Sequence, residues 1–460
     1  MCETVPLSPM KRYGFFIFLT FFAIKLSAQA AFSNRAVSLG ESLDMALANS
    51  PQLKKAQLDR QGFELRLREA RSAAYPSISA TVNYEYSPVL PTQLLPGELF
   101  GMADGSYVPA QFGRPWQMIG AVTMTQRIYD ESLFRGIPAI TAGRAVSDLL
   151  VARTEEEILF NTATVFYQTF QTEQLLRAVN ANVEKLDALQ RIAELQLAND
   201  YAIPTDVKRI RVARTNLETQ RQKLLTSISV LHQTLQYLCG VPFEESLQLT
   251  EDLNNPAADS ARWLALRFEP EATTEHMLIL RSLELNRIQT RSKWAERLPN
   301  LSAYATGAYQ TWRDDANVFS SNTTWYAATA FGLKVNVPIF DGFSRNRKVH
   351  VLKLEAQKLE EDRRQLDGAK MLEFRQAREE LQNALRVLQY QSDNVALARE
   401  ITDKLLLQYK EGVVSLTDLL NAQTALSEAE TNYWQQVFGY KLAVLKLLKA
   451  SGKLEELKKK

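Results

Sequence analysis

The chain is written twice, and this duplication limits its fold more than any other feature. Thr125–Asp130 (TQRIYD) lies 211 residues before Asn336–Asp341 (NVPIFD). Gln196–Val207 (QLANDYAIPTDV) lies 212 before Gln408–Leu419 (QYKEGVVSLTDL), and Gly240 lies 212 before Gly452. Tyr75–Ala80 lies 223 before Leu298–Ala303. The offset falls because Ser87–Pro115 is a long loop rich in Pro and Gly, whereas its counterpart Arg313–Thr324 is short and polar. Two copies with the same order of landmarks imply two copies of one architecture.

Each copy reads helix, strand, loop, strand, very long helix, turn, helix. Ile78, Ala80, Val82, Tyr84 and Tyr86 alternate with Ser79, Thr81, Asn83 and Glu85. Met118, Val122 and Met124 alternate more weakly, and Leu301, Ala303, Ala305 and Tyr309 repeat the face in copy two. Phe331, Leu333, Val335, Val337 and Ile339 supply the fourth run. A period of two with one apolar face marks a half-exposed strand. The strands are predicted at about 76–87, 116–129, 299–312 and 325–340, long enough to cross a bilayer when tilted. Tyr84, Tyr86, Trp116, Tyr309, Trp312 and Trp325 fall near the loop ends, where aromatics suit a membrane interface. A soluble sandwich is the competing reading of these segments alone.

The helices carry heptads. Phe374, Leu381, Leu388, Val395, Thr402 and Tyr409 recur by sevens, and Ala377, Ala384, Gln391, Ala398 and Leu405 follow each of the first five by three. Leu419, Leu426, Tyr433, Tyr440 and Leu447 repeat the pattern, as do Ile210, Leu217, Leu224, Leu231 and Leu238. Sustained a/d spacing predicts coiled coil. Helices are expected at about 51–74, 130–198 and 205–239 in copy one, and at about 270–297, 344–408 and 415–450 in copy two. In each copy two short helices end to end match one long one. The expected fold is an α+β membrane protein: a rod of paired helices with strands at one end and tight turns at the other.

The divisions that follow are residues 1–30, repeat one at 31–240, an inter-repeat equatorial segment at 241–269, repeat two at 270–452 and a basic tail at 453–460, with the inter-repeat segment and the tail expected near the rod's middle. Lys11 and Arg12, the apolar run Gly14–Ile24 and Ala28-Gln29-Ala30 read as a secretory signal peptide. No cysteine marks that cleavage point, so no lipid anchor is expected. Without residues 1–30 the chain has 51 basic and 51 acidic residues, which gives no electrostatic case for a nucleic-acid partner. Cys2, Cys239, His232, His276 and His350 are too few for a disulfide framework or a Cys/His zinc site. There is no GxSxG, HExxH or Gly-rich phosphate loop, so no catalytic, cofactor or metal residues are assigned. No apolar run of 18 follows the first segment. Membrane entry must then use strands, and four strands cannot close alone. Several copies must share one barrel. A periplasmic coiled-coil scaffold or adaptor outside the membrane is the alternative.

The set of motifs resembles the TolC-type outer-membrane efflux family. Its carriers are Leu39–Leu47 with Asn49-Ser50-Pro51, Ala74–Ser79 and its echo Arg297–Leu301, Val337–Gly342, Tyr409–Gly412 and Ser415–Gln423. The resemblance spans the chain after residue 30. It implies a homotrimer whose twelve strands form one outer-membrane barrel, open outside and continued by an α-helical barrel into the periplasm. It further implies a periplasmic adaptor protein, and through it an inner-membrane pump of resistance–nodulation–division or ABC type, with outer-membrane lipid around the barrel. The activity expected is passive conduction in efflux or type I secretion.

Asp200, Pro204, Thr205, Asp206, Tyr409, Gly412, Ser415 and Asp418 mark the two turns expected to dock the adaptor. Simple chain reversal is the plainer reading. Gly412 suits a left-handed helix end, Ser415 with Asp418 a capping box, and Pro204 a first helical turn. Copy one lacks the glycine the family pattern implies. Asp393, Glu400 and Asp403 share one helix face off the seam, and are candidates for an acidic constriction or an ordinary solvated face. Pro338, Asp341 and Gly342 mark a strand–helix joint.

Overall fold

The computed structural model describes residues 35–201, 203–245, 247–250 and 260–459. The signal-peptide segment lies outside these residues. The elements are β1 (Arg35–Val37), α1 (Leu39–Asn49), α2 (Pro51–Ser72), β2 (Ser77–Tyr86), β3 (Thr92–Pro96), β4 (Tyr107–Gln111), β5 (Trp116–Tyr129), α3 (Glu131–Ala198) and α4 (Pro204–Cys239). Then come β6 (Leu247–Leu249), α5 (Ser260–Leu264), α6 (Thr274–Ala295), β7 (Asn300–Arg313), β8 (Tyr326–Asn336), α7 (Ser344–Lys410) and α8 (Leu416–Ala450).

β2, β5, β7 and β8 form one antiparallel sheet in the order β2-β5-β7-β8. Directly paired residues share a face. Ile78 pairs with Met124, Met124 with Ala305, and Ala305 with Phe331. Ala80, Val122 and Gly307, then Val82, Gly120 and Tyr309, continue the same apolar face. The opposite face carries Ser79, Thr123 and Thr306, the two threonine hydroxyls 3.2 Å apart. The periodicity of each strand is therefore brought into a single register. β2 is exposed along its whole length. β2 and β8 each have one neighbour, so both outer edges are unpaired.

The helices form two coiled coils. α3 packs on α4 and α2, and α7 on α8 and α6; α3 also packs on α6 and α8. Phe374, Ala377, Leu381, Ala384, Leu388, Thr402 and Tyr409 are buried on α7, and Leu419, Leu426, Tyr440 and Leu447 on α8. On α4 only Ile210 of its heptad leucine and isoleucine positions is buried, because α4 has α3 as its main partner and little contact with α8. Each long helix is roughly 100 Å long at the α-helical rise.

Several features lay outside the sequence reading. The long loop in copy one is not irregular throughout: β3 and β4 pair as a separate hairpin. α1 is a helix of its own, opened by a capping box in which Ser38 Oγ accepts from the Glu41 amide at 3.3 Å and the Glu41 carboxylate accepts from the Ser38 amide at 2.8 Å. β1 pairs in parallel with β6, joining the start of repeat one to the inter-repeat segment. The tail is not merely a basic end: Leu454 and Leu457 are buried in a short 3-10 turn. β1, α1, β6 and the tail meet mid-rod in the principal core, with Leu43, Phe166, Leu235, Leu381, Leu445 and Leu448. Burial there pushes the Cys239 thiol up to about 11.

Candidate functional site

At the far end from the sheet, both long helices stop in the same way. Gly412 has φ 73°, its N–H bonds to Tyr409 O at 3.0 Å, and Val413 N–H bonds to Gln408 O at 2.9 Å. Asp200 has φ 61°, its N–H bonds to Leu197 O at 3.2 Å, and Tyr201 N–H bonds to Gln196 O at 2.8 Å. Both are Schellman ends. Asparagine and aspartate are the non-glycine residues that best tolerate this conformation, so the missing glycine leaves the backbone turn unchanged. The return helices start differently. Ser415 Oγ accepts from Asp418 N–H at 3.2 Å and donates to its carboxylate at 2.6 Å. α4 has Pro204 in its first turn and no side-chain cap.

Asp200, Pro204, Thr205, Gly412, Ser415 and Asp418 are exposed around this tip, and Asp206 is half-buried. Tyr409 departs from the expected surface role. It is 8% exposed and belongs to a core with Leu186, Leu189, Val207, Ile210, Leu416 and Leu419. Its heptad position turns it inward, and its hydroxyl donates to Gln196 Oε1 at 3.3 Å. Burial, then the nearby Asp206 carboxylate, raises its pKa. Arg209 Nη1 donates to Thr417 Oγ1 at 2.9 Å. The two tips are thus tied to each other within one protomer. Exposed Tyr201, Ile203 and Val413 give the tip an apolar surface that the sequence reading missed; apolar residues inside a polar turn were the available signal.

Farther along the rod, a buried polar layer crosses from one coiled coil to the other. Asn182 donates to Glu430 Oε2 at 3.1 Å, Gln423 donates to Asn182 Oδ1 at 2.9 Å, and Arg399 donates to Glu430 Oε1 at 2.9 Å. Asp393, Glu400 and Asp403 are exposed. Glu400 lies 2.5 Å from Lys404, whose hydrogen bond lowers its pKa. At the strand–helix joint, Asp341 Oδ2 accepts from Arg345 N–H at 2.9 Å. Gly342 and Phe343 follow with φ 65° and 64°. His232 and His276 lie 2.7 and 2.6 Å from the carboxylates of Glu173 and Asp367.

The loop end of the sheet separates its aromatics by face. Trp116 stacks on Tyr84 at 5.2 Å and on Tyr86 at 4.5 Å, all on the apolar face. Trp312 is a correction. It pairs with Gln117, which pairs with Glu85, so it stands on the polar face beside Tyr326. Among the described residues no helix is long and apolar enough to cross a membrane. The sheet is the element with an apolar face to offer one.

Residues 282–453 match the family described as outer membrane efflux protein. The outer membrane protein TolC of Escherichia coli is 23% identical over 443 residues, covering 92% of this chain and 84% of that protein. Residues 282–453 thus carry the outer membrane efflux protein pattern, and the likeness to TolC runs over nearly the whole chain. The description of the matched family names the outer membrane and efflux. The fold agrees. The CusC transmembrane channel superposes with a TM-score of 0.72 at 14% identity, covering 90% of this chain and 91% of that one. VceC of Vibrio cholerae gives 0.69 at 16%, covering 90% and 96%. The CmeC channel of Campylobacter jejuni gives 0.68 at 15%, covering 90% and 85%.

Proposed function

We propose that this protein is the trimeric exit duct of a tripartite efflux or type I secretion system. The observation that carries the reading is one sheet with a continuous apolar face and two open edges. Each unpaired backbone group in hydrocarbon costs several kcal/mol. Pairing β2 of one copy with β8 of the next satisfies both edges. Three copies of the four-stranded sheet give a closed twelve-stranded barrel of a size known for such proteins. The polar faces then line a water-filled lumen, and the coiled coils extend it as an α-helical barrel into the periplasm.

In this reading the tips, with Asp200, Pro204, Thr205, Asp206, Gly412, Ser415 and Asp418, dock a periplasmic adaptor. The adaptor leads to an inner-membrane pump of resistance–nodulation–division or ABC type, and the pump chooses the cargo. Support comes from the matched turns, which offer an adaptor two similar surfaces per protomer. Asp393, Glu400 and Asp403 are candidates for a cation-attracting constriction; Asp403→Ala should lower cation selectivity in a planar bilayer, and unchanged selectivity with unchanged cation block removes that role. For the duct itself, light scattering in detergent should give a trimer, and reconstitution should give discrete channels. A detergent-stable monomer that forms no pores overturns the reading.

A further inference from the structure

A cavity of about 660 Å³ opens at the loop end of the sheet. Phe112 and Arg114, between β4 and β5, form one wall; Trp312 and Tyr326, on the polar face of β7 and β8, form another; Asn322 closes it from the β7–β8 loop. The rings of Trp312 and Tyr326 are 6.0 Å apart and tilted by 49°, leaving a cleft rather than a filled stack.

The charges at this cavity are already matched. Arg313 donates to both carboxylate oxygens of Asp315, at 3.0 and 2.7 Å, and to Thr323 Oγ1 at 2.9 Å. Arg114 lies 3.2 Å from Asp314. The Thr324 carbonyl accepts from Thr311 Oγ1 at 2.8 Å. Two guanidinium groups facing two carboxylates leave no net field to hold an anion. The charged groups hold one another, so what stays open is neutral: the Trp312 and Tyr326 rings and the Asn322 amide, backed by planar guanidinium groups whose positions are fixed. Such surface recognises a ring by stacking, with little demand on charge.

We propose that this cavity is an exit-side binding site for flat, uncharged aromatic molecules. The inference rests on the duct reading for its access, since Trp312 and Tyr326 stand on the face that reading assigns to the lumen. Three such sites would ring the mouth and give aromatic cargo a last contact before release.

Calorimetric titration of caffeine, a neutral planar ring compound, into the purified full chain in detergent tests the site without requiring a pore. Saturable binding is expected. Trp312→Leu and Tyr326→Leu should each weaken it by about tenfold, and Trp312→Phe should stay within about twofold. Tyr326 is an exposed position, so Tyr326→Leu decides the matter if Trp312→Leu does not fold. Absence of saturable heat, leucine variants that bind like the parent, or displacement of caffeine by maltotriose would overturn the proposal. In planar bilayers, caffeine added at the sheet side should transiently block the parent channel and block the leucine variants less. Caffeine binding by a chain that opens no channels would leave the ligand assignment standing and overturn the duct reading instead.

Discussion

Asp200 and Gly412 stand 212 positions apart and hold the same left-handed backbone, with φ of 61° and 73°. Only one of them is glycine, so the two tips share a turn but not its energetic cost. A side chain in this region costs about 1–2 kcal/mol, less for aspartate. Gly412→Ala should open the second tip more readily by about 1 kcal/mol, speeding hydrogen exchange of the Val413 amide roughly fivefold. Asp200→Gly should leave exchange at Tyr201 unchanged or slow it. Faster exchange there would mean that the Asp200 side chain holds the turn.

Phe343 is a more strained case. It is a bulky, 61% exposed residue at φ 64°, following Gly342 at φ 65°. Its ring meets Phe340 edge-on at 5.5 Å, a contact worth about 0.5–1.5 kcal/mol when well packed and less when exposed. The backbone penalty is of the larger order, about 1–2 kcal/mol. Phe343→Asn should therefore raise the thermal midpoint of the purified protein. A lowered midpoint would show that the ring packs against something outside the single protomer.

These two turns mark where sequence reasoning succeeds and where it stops. The heptads from Phe374 to Tyr409 and the alternation from Ile78 to Tyr86 are local periodicities, and local periodicity is set by which face is buried. The pairing of β2 with β5 was not read from the sequence, and neither was the parallel contact of Val37 with Leu249, because two three-residue strands more than 200 positions apart carry no pattern. The inward turn of Tyr409 was implicit in its heptad place, yet the neighbouring Gly412 made it look like part of the tip. Trp312 was misassigned because a ring near a strand end was read by position and not by parity with Gln310 and Tyr326. The Asn182–Glu430 contact, 248 residues apart, had no sequence signal.

That contact should be cooperative. Glu430 is 9% exposed and accepts from both Asn182 and Arg399. Removing its carboxylate leaves the buried Asn182 amide without an acceptor, and hydrogen bonds to a charged group contribute about 1.5–3 kcal/mol. Glu430→Ala should cost about 2 kcal/mol, and Asn182→Ala a similar amount because Gln423 also loses its acceptor. Since both remove one network, the double variant should cost less than the sum by about 1 kcal/mol. Chemical denaturation of the four proteins measures this coupling. Strict additivity would show that the layer is a set of independent contacts and not a unit linking the two coiled coils.

Glu156 sets a pH dependence of opposite sign to that of a salt-bridged carboxylate. Burial is the main cause of its raised pKa, above an ordinary value of 4.5. The Thr274 hydroxyl, 2.5 Å from its carboxylate, and Lys370 pull the other way, while Glu275 and Glu455 add to the rise. The unfolded chain thus releases this proton at lower pH than the folded one. Stability is lost as pH climbs from the ordinary value through the folded value, and stays lost above it. Glu156→Gln keeps an acceptor for Thr274 and cannot ionise. Near pH 4 the two proteins should melt together; near pH 7 the glutamine variant should melt higher. Comparing midpoints at the two pH values cancels, to first order, the titration of Glu275 and Lys370 common to both. A variant that is less stable at neutral pH, by the same margin as in acid, would mean that Glu156 is ionised and satisfied in the fold, with Lys370 and Thr274 outweighing its burial.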